Sequence, residues 1–451
     1  LPDIAGLIDE NQFDLITKPK SGFVVIRGTA GSGKTTVALH RIAWMAFEDK
    51  SYDSPFTLFL VFSKALRDYV SHVLPALGVH NVRVDSFANW AYAQRRGCLP
   101  MLPKAVRDDS PAIVTRIKLH PAMGVALQTH QLMNDLPPTP ASVIDDWASV
   151  TTDANAIITA IEETDPGAFT DAEVNTMTNW CRHLTDELEA YLDGNKKNKC
   201  MLAPEDDALL LRAWQGRIGA LRTRKGRELR YKHIALDEVQ DFTPLEVQLL
   251  VDCLDQNNCI TLAGDTAQSI SNHGGTTSWV SFFERLGVDG TSVNTLRVSY
   301  RCSHQVASFG RLLLGDMAET APAVTLRDGP DVELFQLSDD GELIAFLTDV
   351  LRDLHRQEPT ASVALLAPNR QRAKQLYNAL LHSEVSHVRL VDDQSFTFTA
   401  GVDITDIESV KGLEFDYVIV LDVSAQYYTD TNHNRRLLHV AATRALHQLW
   451  F

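Results

Sequence analysis

The chain has 451 residues, a formal net charge of −16 at pH 7, 45% hydrophobic residues and 22% charged residues. This length allows several domains, and the composition is ordinary for a globular protein. The negative charge argues against a protein that coats nucleic acid non-specifically, because such binding depends on Lys and Arg neutralising phosphates. It does not exclude a narrow basic groove on an acidic protein.

The sequence shows no apolar run that approaches the length of a membrane span, and no signal peptide. Its six cysteines form no C-x-x-C pair and no zinc-like spacing, and its fifteen histidines show no metal cluster. We therefore expect a cytoplasmic protein with reduced thiols and no membrane partner.

The first strand is predicted at residues 23–26, and it is followed by Gly28-Thr29-Ala30-Gly31-Ser32-Gly33-Lys34-Thr35. This segment matches G-x-x-x-x-G-K-[ST], and the apolar spacing after it predicts a helix that begins at Lys34 or Thr35. Glycines allow positive φ and let backbone N–H groups surround a triphosphate, while the helix N-terminus adds positive charge. Lys34 would reach the β- and γ-phosphates, and the Thr35 hydroxyl would bind Mg²⁺. The motif predicts binding of ATP or GTP.

Alternating strands and helices follow the P-loop. Strands are predicted at 58–62 and 82–84 with a helix at 65–74 between them, which is the doubly wound α/β pattern. Ligands gather at the carboxyl ends of such strands, where Phe62, Ser63, Ser86 and Phe87 are expected. From about residue 94 to 230 the strand pattern disappears, and helical spacing predicts a helical insertion.

The strand pattern returns at 231–236 and ends in Asp237 and Glu238. After a P-loop, such a pair provides one acid for Mg²⁺ and a second that polarises the attacking water. The next strand, at 259–263, leads to Gln268, whose amide could detect the γ-phosphate. Gln12 precedes the P-loop by about twenty residues and could read both edges of adenine, or be a surface residue of a short helix.

A second α/β unit is predicted after about residue 286. It has strand-like runs at 332–335, 363–366, 402–407 and 417–421, and helices that end near residues 315 and 381. This unit has no P-loop of its own, but it carries Lys411-Gly412-Leu413-Glu414-Phe415-Asp416 and Ala441-Ala442-Thr443-Arg444-Ala445. Alternation over this length predicts a second α/β domain.

The motifs occur in a fixed order: Gln12, the P-loop, DEVQD at 237–241, GDTAQ at 264–268, SYR at 299–301, KGLEFD at 411–416 and AATRA at 441–445. This order resembles the superfamily 1 helicases of the UvrD, Rep and PcrA type over nearly the whole chain. The resemblance implies an α/β fold with two RecA-like P-loop domains, a helical insertion in the first, and ATP in the cleft between them. We therefore predict a RecA-like ATP-binding domain at 1–93 and 231–285, a helical insertion at 94–230, and a second RecA-like domain at 286–451.

The resemblance also implies roles for individual residues. Catalytic roles fall to Lys34, Glu238 (the general base), Gln268, Arg301 and Arg444. Binding of ATP falls to Gln12, Gly28, Ala30, Gly31, Ser32, Gly33, Lys34, Thr35, Thr36, Tyr300, Gly412 and Glu414, and binding of Mg²⁺ to Thr35 and Asp237. Because the two arginines belong to the second domain, the cleft must close for hydrolysis.

The nucleic-acid contacts depart from the family pattern. The run 268–275 lacks the aromatic residues that stack on bases, and Asp85 stands where a phosphate should pass, so Phe62, Ser86 and Phe87 are the candidate contacts. About 110 residues separate Arg301 from Lys411, which leaves no room for the family's large accessory domain. The chain is similar in this missing domain to the HelD branch, which also shares the run from Ala30 to Arg41. Members of that branch carry an N-terminal coiled coil that is not found in this sequence.

Three functions follow from this sequence. The first is an ATP-driven helicase or translocase on single-stranded DNA or RNA, with 3′ to 5′ polarity implied by the resemblance. The alternative is a HelD-like remodelling factor or switch that acts on a protein partner, such as RNA polymerase or a defence nuclease. An ATP-binding scaffold without turnover is the third, and the presence of Glu238, Arg301 and Arg444 argues against it.

Overall fold

The computed structural model describes residues 8–28, 31–195, 200–223, 225–265, 282–283, 286, 293–296, 298–299, 302–318, 324–325, 327–383, 385–392 and 395–451. Within these residues two parallel β-sheets organise the chain. We call each sheet with its packed helices a lobe, the first lobe holding the six-stranded sheet and the second lobe the five-stranded sheet.

The first sheet has the order β3-β2-β4-β5-β1-β6, and its neighbouring strands pair in parallel. Its strands are β1 (Phe23–Gly28), β2 (Thr57–Val61), β3 (Arg83–Ser86), β4 (His233–Leu236), β5 (Ile260–Gly264) and β6 (Val293–Leu296). Since side chains alternate along a strand, Val24 and Ile26 face one core while Val25 faces the other. Burial on both faces explains why β1 has a continuous apolar sequence rather than an alternating one.

The helices of the first lobe cover both faces of this sheet. They are α1 (Glu10–Ile16), α2 (Lys34–Glu48), α3 (Lys64–Ala76), α4 (Phe87–Cys98), α5 (Ala112–Lys118), α6 (Pro121–Met133), α7 (Pro140–Thr152), α8 (Ala154–Thr164), α9 (Asp171–Leu192), α10 (Pro204–Arg217) and α11 (Pro244–Val251). Helices α1 to α3 pack on one face, and the helices between β3 and β4 share a single apolar core with the other. No helix in the described parts of the chain is both long and apolar enough to cross a bilayer.

The second sheet has the order β10-β11-β9-β12-β13, again in parallel. The elements after β6 are β7 (Val298–Ser299), α12 (His304–Leu314), β8 (Val324–Thr325), α13 (Asp340–Gln357), β9 (Ser362–Ala367), α14 (Arg370–Leu380), β10 (Val388–Leu390), β11 (Gly401–Asp406), β12 (Phe415–Val420), α15 (Asn432–Ala442) and β13 (Ala445–Trp450). The segment 332–335, expected as a strand, does not form a full strand, but Glu333 makes an isolated parallel bridge with Trp450 and the Phe335 N–H donates to the Phe451 carbonyl at 2.8 Å.

Helix α3 of the first lobe lies against the second lobe. The Lys64 ammonium donates to Ser395 Oγ at 2.8 Å, Ala65 belongs to the apolar core of the second lobe, and the Tyr69 and Phe398 ring centroids are 6.2 Å apart. Because α3 directly follows the carboxyl end of β2, this contact places the second lobe beside the edge of the first sheet where its strands end. The predicted domain boundaries, at residues 93/94, 230/231 and 285/286, stay predictions.

Candidate functional site

The P-loop connects β1 to α2, and its described glycines adopt the backbone that the motif requires. Gly31 and Gly33 have φ values of +72° and +84°, in the region that L side chains rarely occupy. A Cβ on Gly28 would collide with the Ser32 hydroxyl, which explains the glycine there. Lys34 begins α2, is buried, and donates to the Gly28 carbonyl at 2.9 Å. The Lys34 ammonium therefore folds back onto the P-loop backbone, where the phosphates would bind.

Gln12 lies against the P-loop. Its side-chain amide donates to the Ser32 carbonyl at 3.1 Å, and a Cβ on Gly33 would lie 2.9 Å from Gln12 Nε2. The same residue forms a capping box with Asp9 at the start of α1. The structure therefore brings Gln12 to the P-loop, while its contact with adenine stays a prediction.

Thr35 and Asp237 meet at the adjacent ends of α2 and β4. The Thr35 hydroxyl donates to Asp237 Oδ2 at 2.6 Å, and Asp237 is fully buried. Burial and the neighbouring Glu238 raise the pKa of the Asp237 carboxyl, and the Thr35 hydrogen bond and Lys34 offset this only in part. A hydroxyl and a carboxylate at the end of a P-loop are the hard oxygen donors that Mg²⁺ takes together with phosphates and water. These residues fit the ion predicted for them.

Glu238 occupies a strained position directly after β4. It has φ of +53°, unusual for a residue with a Cβ, and such outliers concentrate at functional sites. Its carboxylate accepts from Gln240 Nε2 at 2.5 Å. Burial would raise the pKa of Glu238, but Lys34, Lys411, Arg444 and the Gln240 hydrogen bond together lower it below its ordinary value. The group is therefore held as a carboxylate, which is the form that accepts a proton.

Gln240 connects this carboxylate to the end of β5. While its Nε2 donates to Glu238, its Oε1 accepts from the Asp265 backbone N–H at 2.9 Å, and all three residues are buried. A Cβ on Gly264 would collide with the same oxygen. Gln240 was not among the predicted site residues, although its position within the DEVQD motif could have indicated a role beside Glu238.

The second lobe contributes two buried cations. Lys411 forms a buried ion pair with Asp241 of the first lobe, and its ammonium lies 6.0 Å from the Phe62 ring centroid. Arg444 donates to the backbone carbonyls of Val440 and Leu413 at 3.0 and 3.2 Å, so its guanidinium is fixed within its own lobe. Both cations lower the pKa of Glu238. The sequence predicted Arg444 but not the Lys411–Asp241 pair, whose only signal was the first residue of KGLEFD.

The remaining predicted nucleotide contacts have different outcomes. Gly412 has φ of +81°, and a Cβ there would lie 3.2 Å from the Leu66 side chain, so the KGLEFD loop approaches α3 closely. Thr36 is in the first turn of α2, and Glu414 is partly buried just before β12. Ala30, Gln268, Tyr300 and Arg301 lie outside the described residues, and their roles stay predictions.

The three candidate nucleic-acid contacts differ in accessibility. Phe62 is 52% exposed at the end of β2, next to Lys411. Phe87 is buried, with its ring 5.8 and 5.9 Å from those of Trp90 and Phe242, and the Ser86 hydroxyl caps α4 by accepting from the Asn89 N–H at 3.3 Å. Phe62 is thus free to stack on a base, whereas Phe87 packs in the core and Ser86 is occupied as a cap.

Asp85 stands where the family resemblance places a nucleic-acid phosphate, and its carboxylate has two partners within the protein. The Arg83 guanidinium lies 2.9 Å from its carboxylate, and the Ser86 backbone N–H donates to it at 3.0 Å. This pairing reduces the repulsion that an unpaired aspartate would exert on a phosphate.

Comparison with known proteins agrees with a P-loop NTPase. The family model described as a UvrD-like helicase C-terminal domain matches residues 401–451. No curated protein matches the chain. The 129 matching chains of solved structures include the C-terminal domain of a possible DNA helicase from Lactobacillus plantarum WCFS1, which is 24% identical with a TM-score of 0.29. That match covers 34% of this chain and 86% of the other. The family model described as an AAA domain matches residues 14–273, which is more than half of the sequence, and the chain therefore belongs to the AAA domain family.

Proposed function

We propose that the chain is an ATP-hydrolysing superfamily 1 helicase or translocase that moves along single-stranded nucleic acid, 3′ to 5′ by resemblance. In this proposal the two lobes are RecA-like domains, and ATP binds between them. One observation carries the proposal: Lys411 of the second lobe forms a buried ion pair with Asp241, three residues after Glu238, and Lys34, Lys411 and Arg444 all lower the pKa of Glu238. The AAA and UvrD-like matches support a helicase-like ATPase independently.

The first lobe would bind the phosphates and activate water. The Lys34 ammonium would exchange the Gly28 carbonyl for phosphate oxygens. Because the side chain is already buried, this exchange would add no further desolvation cost. Thr35 and Asp237 would hold Mg²⁺, which neutralises charge on the phosphates. Glu238 would accept the proton of the attacking water, and Gln240 would orient its carboxylate through the 2.5 Å hydrogen bond.

The second lobe would complete the site. Arg444, already fixed by two backbone carbonyls, would supply positive charge to the phosphoryl group as an arginine finger, together with Arg301. The buried Lys411–Asp241 pair joins KGLEFD to DEVQD, so hydrolysis of the nucleotide would change the structure of both lobes. Loss of the γ-phosphate would weaken the contact across the cleft, and this converts hydrolysis into relative motion of the lobes.

The exposed Phe62 ring supports a nucleic-acid substrate. An aromatic ring at the end of a strand gives any base a surface on which to stack, worth ~1–3 kcal/mol per base. Phe62 also lies beside Lys411, whose ion pair with Asp241 borders the catalytic carboxylates. A strand bound on Phe62 would therefore be close to the residues that hydrolyse ATP. The HelD-like alternative has no support from the two family matches.

The test is ATP hydrolysis measured with no polymer, with single-stranded DNA, with single-stranded RNA and with RNA polymerase. We expect at least one single strand to stimulate turnover, because binding at Phe62 and closure of the lobes are coupled. Absence of stimulation by either strand down to low salt would reject the proposal, and stimulation by polymerase alone would favour the alternative.

The Gln240→Glu variant tests the positioning of Glu238. Glutamate preserves the size of the side chain and the acceptor for the Asp265 N–H, but it cannot donate a hydrogen bond to Glu238 and places a second negative charge beside it. We expect kcat to fall by about 10-fold or more, a loss typical of a misplaced catalytic group, with KM for ATP nearly unchanged. Turnover at the wild-type rate would mean that Gln240 serves only to hold Asp265.

A further inference from the structure

A basic hairpin projects from the first lobe just before β4. We define it by its described residues, 221–223 and 225–229. The Leu229 N–H donates to the Leu221 carbonyl and the Thr223 N–H to the Arg227 carbonyl, both at 2.7 Å. Leu221 and Leu229 are buried in the apolar core of the lobe. The base of the hairpin is therefore anchored, and its tip is presented to solvent.

The tip carries positive charge that the described protein does not neutralise. Lys225 and Arg227 are exposed, and neither side chain makes an ion pair or hydrogen bond with the described residues. The carboxylate of Glu228 pairs with Arg230 at 3.2 Å rather than with Lys225 or Arg227. On a chain with a net charge of −16, two exposed cations without partners at one tip form a local basic surface.

Helix α4 connects this tip to the predicted nucleic-acid contacts. The helix begins directly after Ser86 and contains no Asp or Glu, and at its other end Gly97 adjoins the Arg222 carbonyl of the hairpin. Asn89, Tyr92 and Arg96 recur at helical spacing and are exposed or partly exposed. Twelve residues of helix span ~18 Å. A surface without carboxylates on α4 therefore runs from the end of β3 to the basic hairpin.

We propose that the hairpin binds the phosphate backbone of a nucleic-acid duplex adjoining the single strand. This inference rests on the proposed function. Lysine and arginine head groups neutralise phosphates regardless of sequence. The described hairpin offers no aromatic ring on which an unpaired base could stack, which favours a duplex over a single strand. An acidic protein surface would not account for the position of α4, which begins after Ser86, the register partner of Val61 next to Phe62.

The test is the full-length Lys225→Glu/Arg227→Glu variant, with Lys50→Glu/Lys374→Glu as a control that makes the same charge change at exposed positions on both lobes. Affinities for a 30-nucleotide single strand and for a duplex with a single-stranded tail would be measured by fluorescence anisotropy across a salt series. We expect the hairpin variant to bind the tailed duplex about 10-fold more weakly, with a salt slope reduced by ~2, because two phosphate contacts are lost.

Single-strand affinity and ATPase activity without nucleic acid should stay close to wild type in both variants, because the hairpin is outside the nucleotide site. Tailed-duplex binding that matches the control variant, or an equal loss for the single strand, would overturn the inference. A wild-type protein that binds neither polymer would instead refute the proposed function, so the two failures are distinguishable.

Discussion

Replacing Glu238 with Gln is expected to lower ATP turnover by about 10²–10⁴-fold, the contribution typical of a general base. The substitution keeps the side-chain volume and removes the negative charge, and with it the capacity to take a proton. Because Lys34, Thr35 and Asp237 are unchanged, affinity for a fluorescent ATP analogue should stay within about threefold of wild type. The measurements are steady-state hydrolysis and analogue binding on the same preparation.

Two companion variants define what this result means. Lys34→Ala should lose turnover and also bind the analogue more weakly, since it removes a phosphate ligand. Glu189→Gln makes the same chemical change at an exposed position on α9 and should have no effect. Normal turnover by Glu238→Gln would show that another group activates water, and the assignment of the base would be wrong.

Replacing Arg444 with Met is expected to lower kcat by about 10³-fold or more, the scale for loss of an arginine finger. Methionine fills most of the buried volume, so the effect should come from loss of charge rather than from a cavity. Arg444→Lys should restore little, because lysine cannot donate to the Val440 and Leu413 carbonyls and to a phosphate in one planar arrangement.

The structural role of Arg444 must be separated from its chemical role. Thermal unfolding would report whether loss of its backbone hydrogen bonds destabilises the second lobe. Arg436→Met is the control, since Arg436 lies on α15, the helix that ends two residues before Arg444, and is only partly buried. Arg444→Met that folds, binds nucleotide and hydrolyses it at the wild-type rate would remove the second lobe from catalysis.

The parts of the site that were predictable from sequence are those specified locally. The P-loop, the start of α2 and the acids after β4 follow from short segments whose strand, turn and helix signals agree. The meeting of Thr35 with Asp237 was also predictable, because parallel strands end at one edge of a sheet. For these features, the order of elements along the chain was sufficient.

Contacts that depend on how the lobes pack were not predictable. The Lys411–Asp241 pair joins residues 170 positions apart, and the hydrogen bond from the Asp265 N–H to Gln240 depends on the position of β5 relative to β4. Phe62 and Phe87 each follow a strand and looked equivalent, yet one is exposed and the other packs against Trp90. The residues at 332–335 have strand-like composition, but they make an isolated bridge at Glu333 and one hydrogen bond from Phe335 instead of a full strand.

In the proposed mechanism, ATP binds between the lobes and changes their relative position. The most direct measurement is energy transfer between labels at Lys50→Cys in the first lobe and Gln357→Cys in the second, both exposed positions on a chain whose six native cysteines are buried. A non-hydrolysable ATP analogue is expected to shorten this distance in wild type and to leave it unchanged in Lys34→Ala. An unchanged distance in a wild-type protein saturated with the analogue would contradict the proposed mechanism.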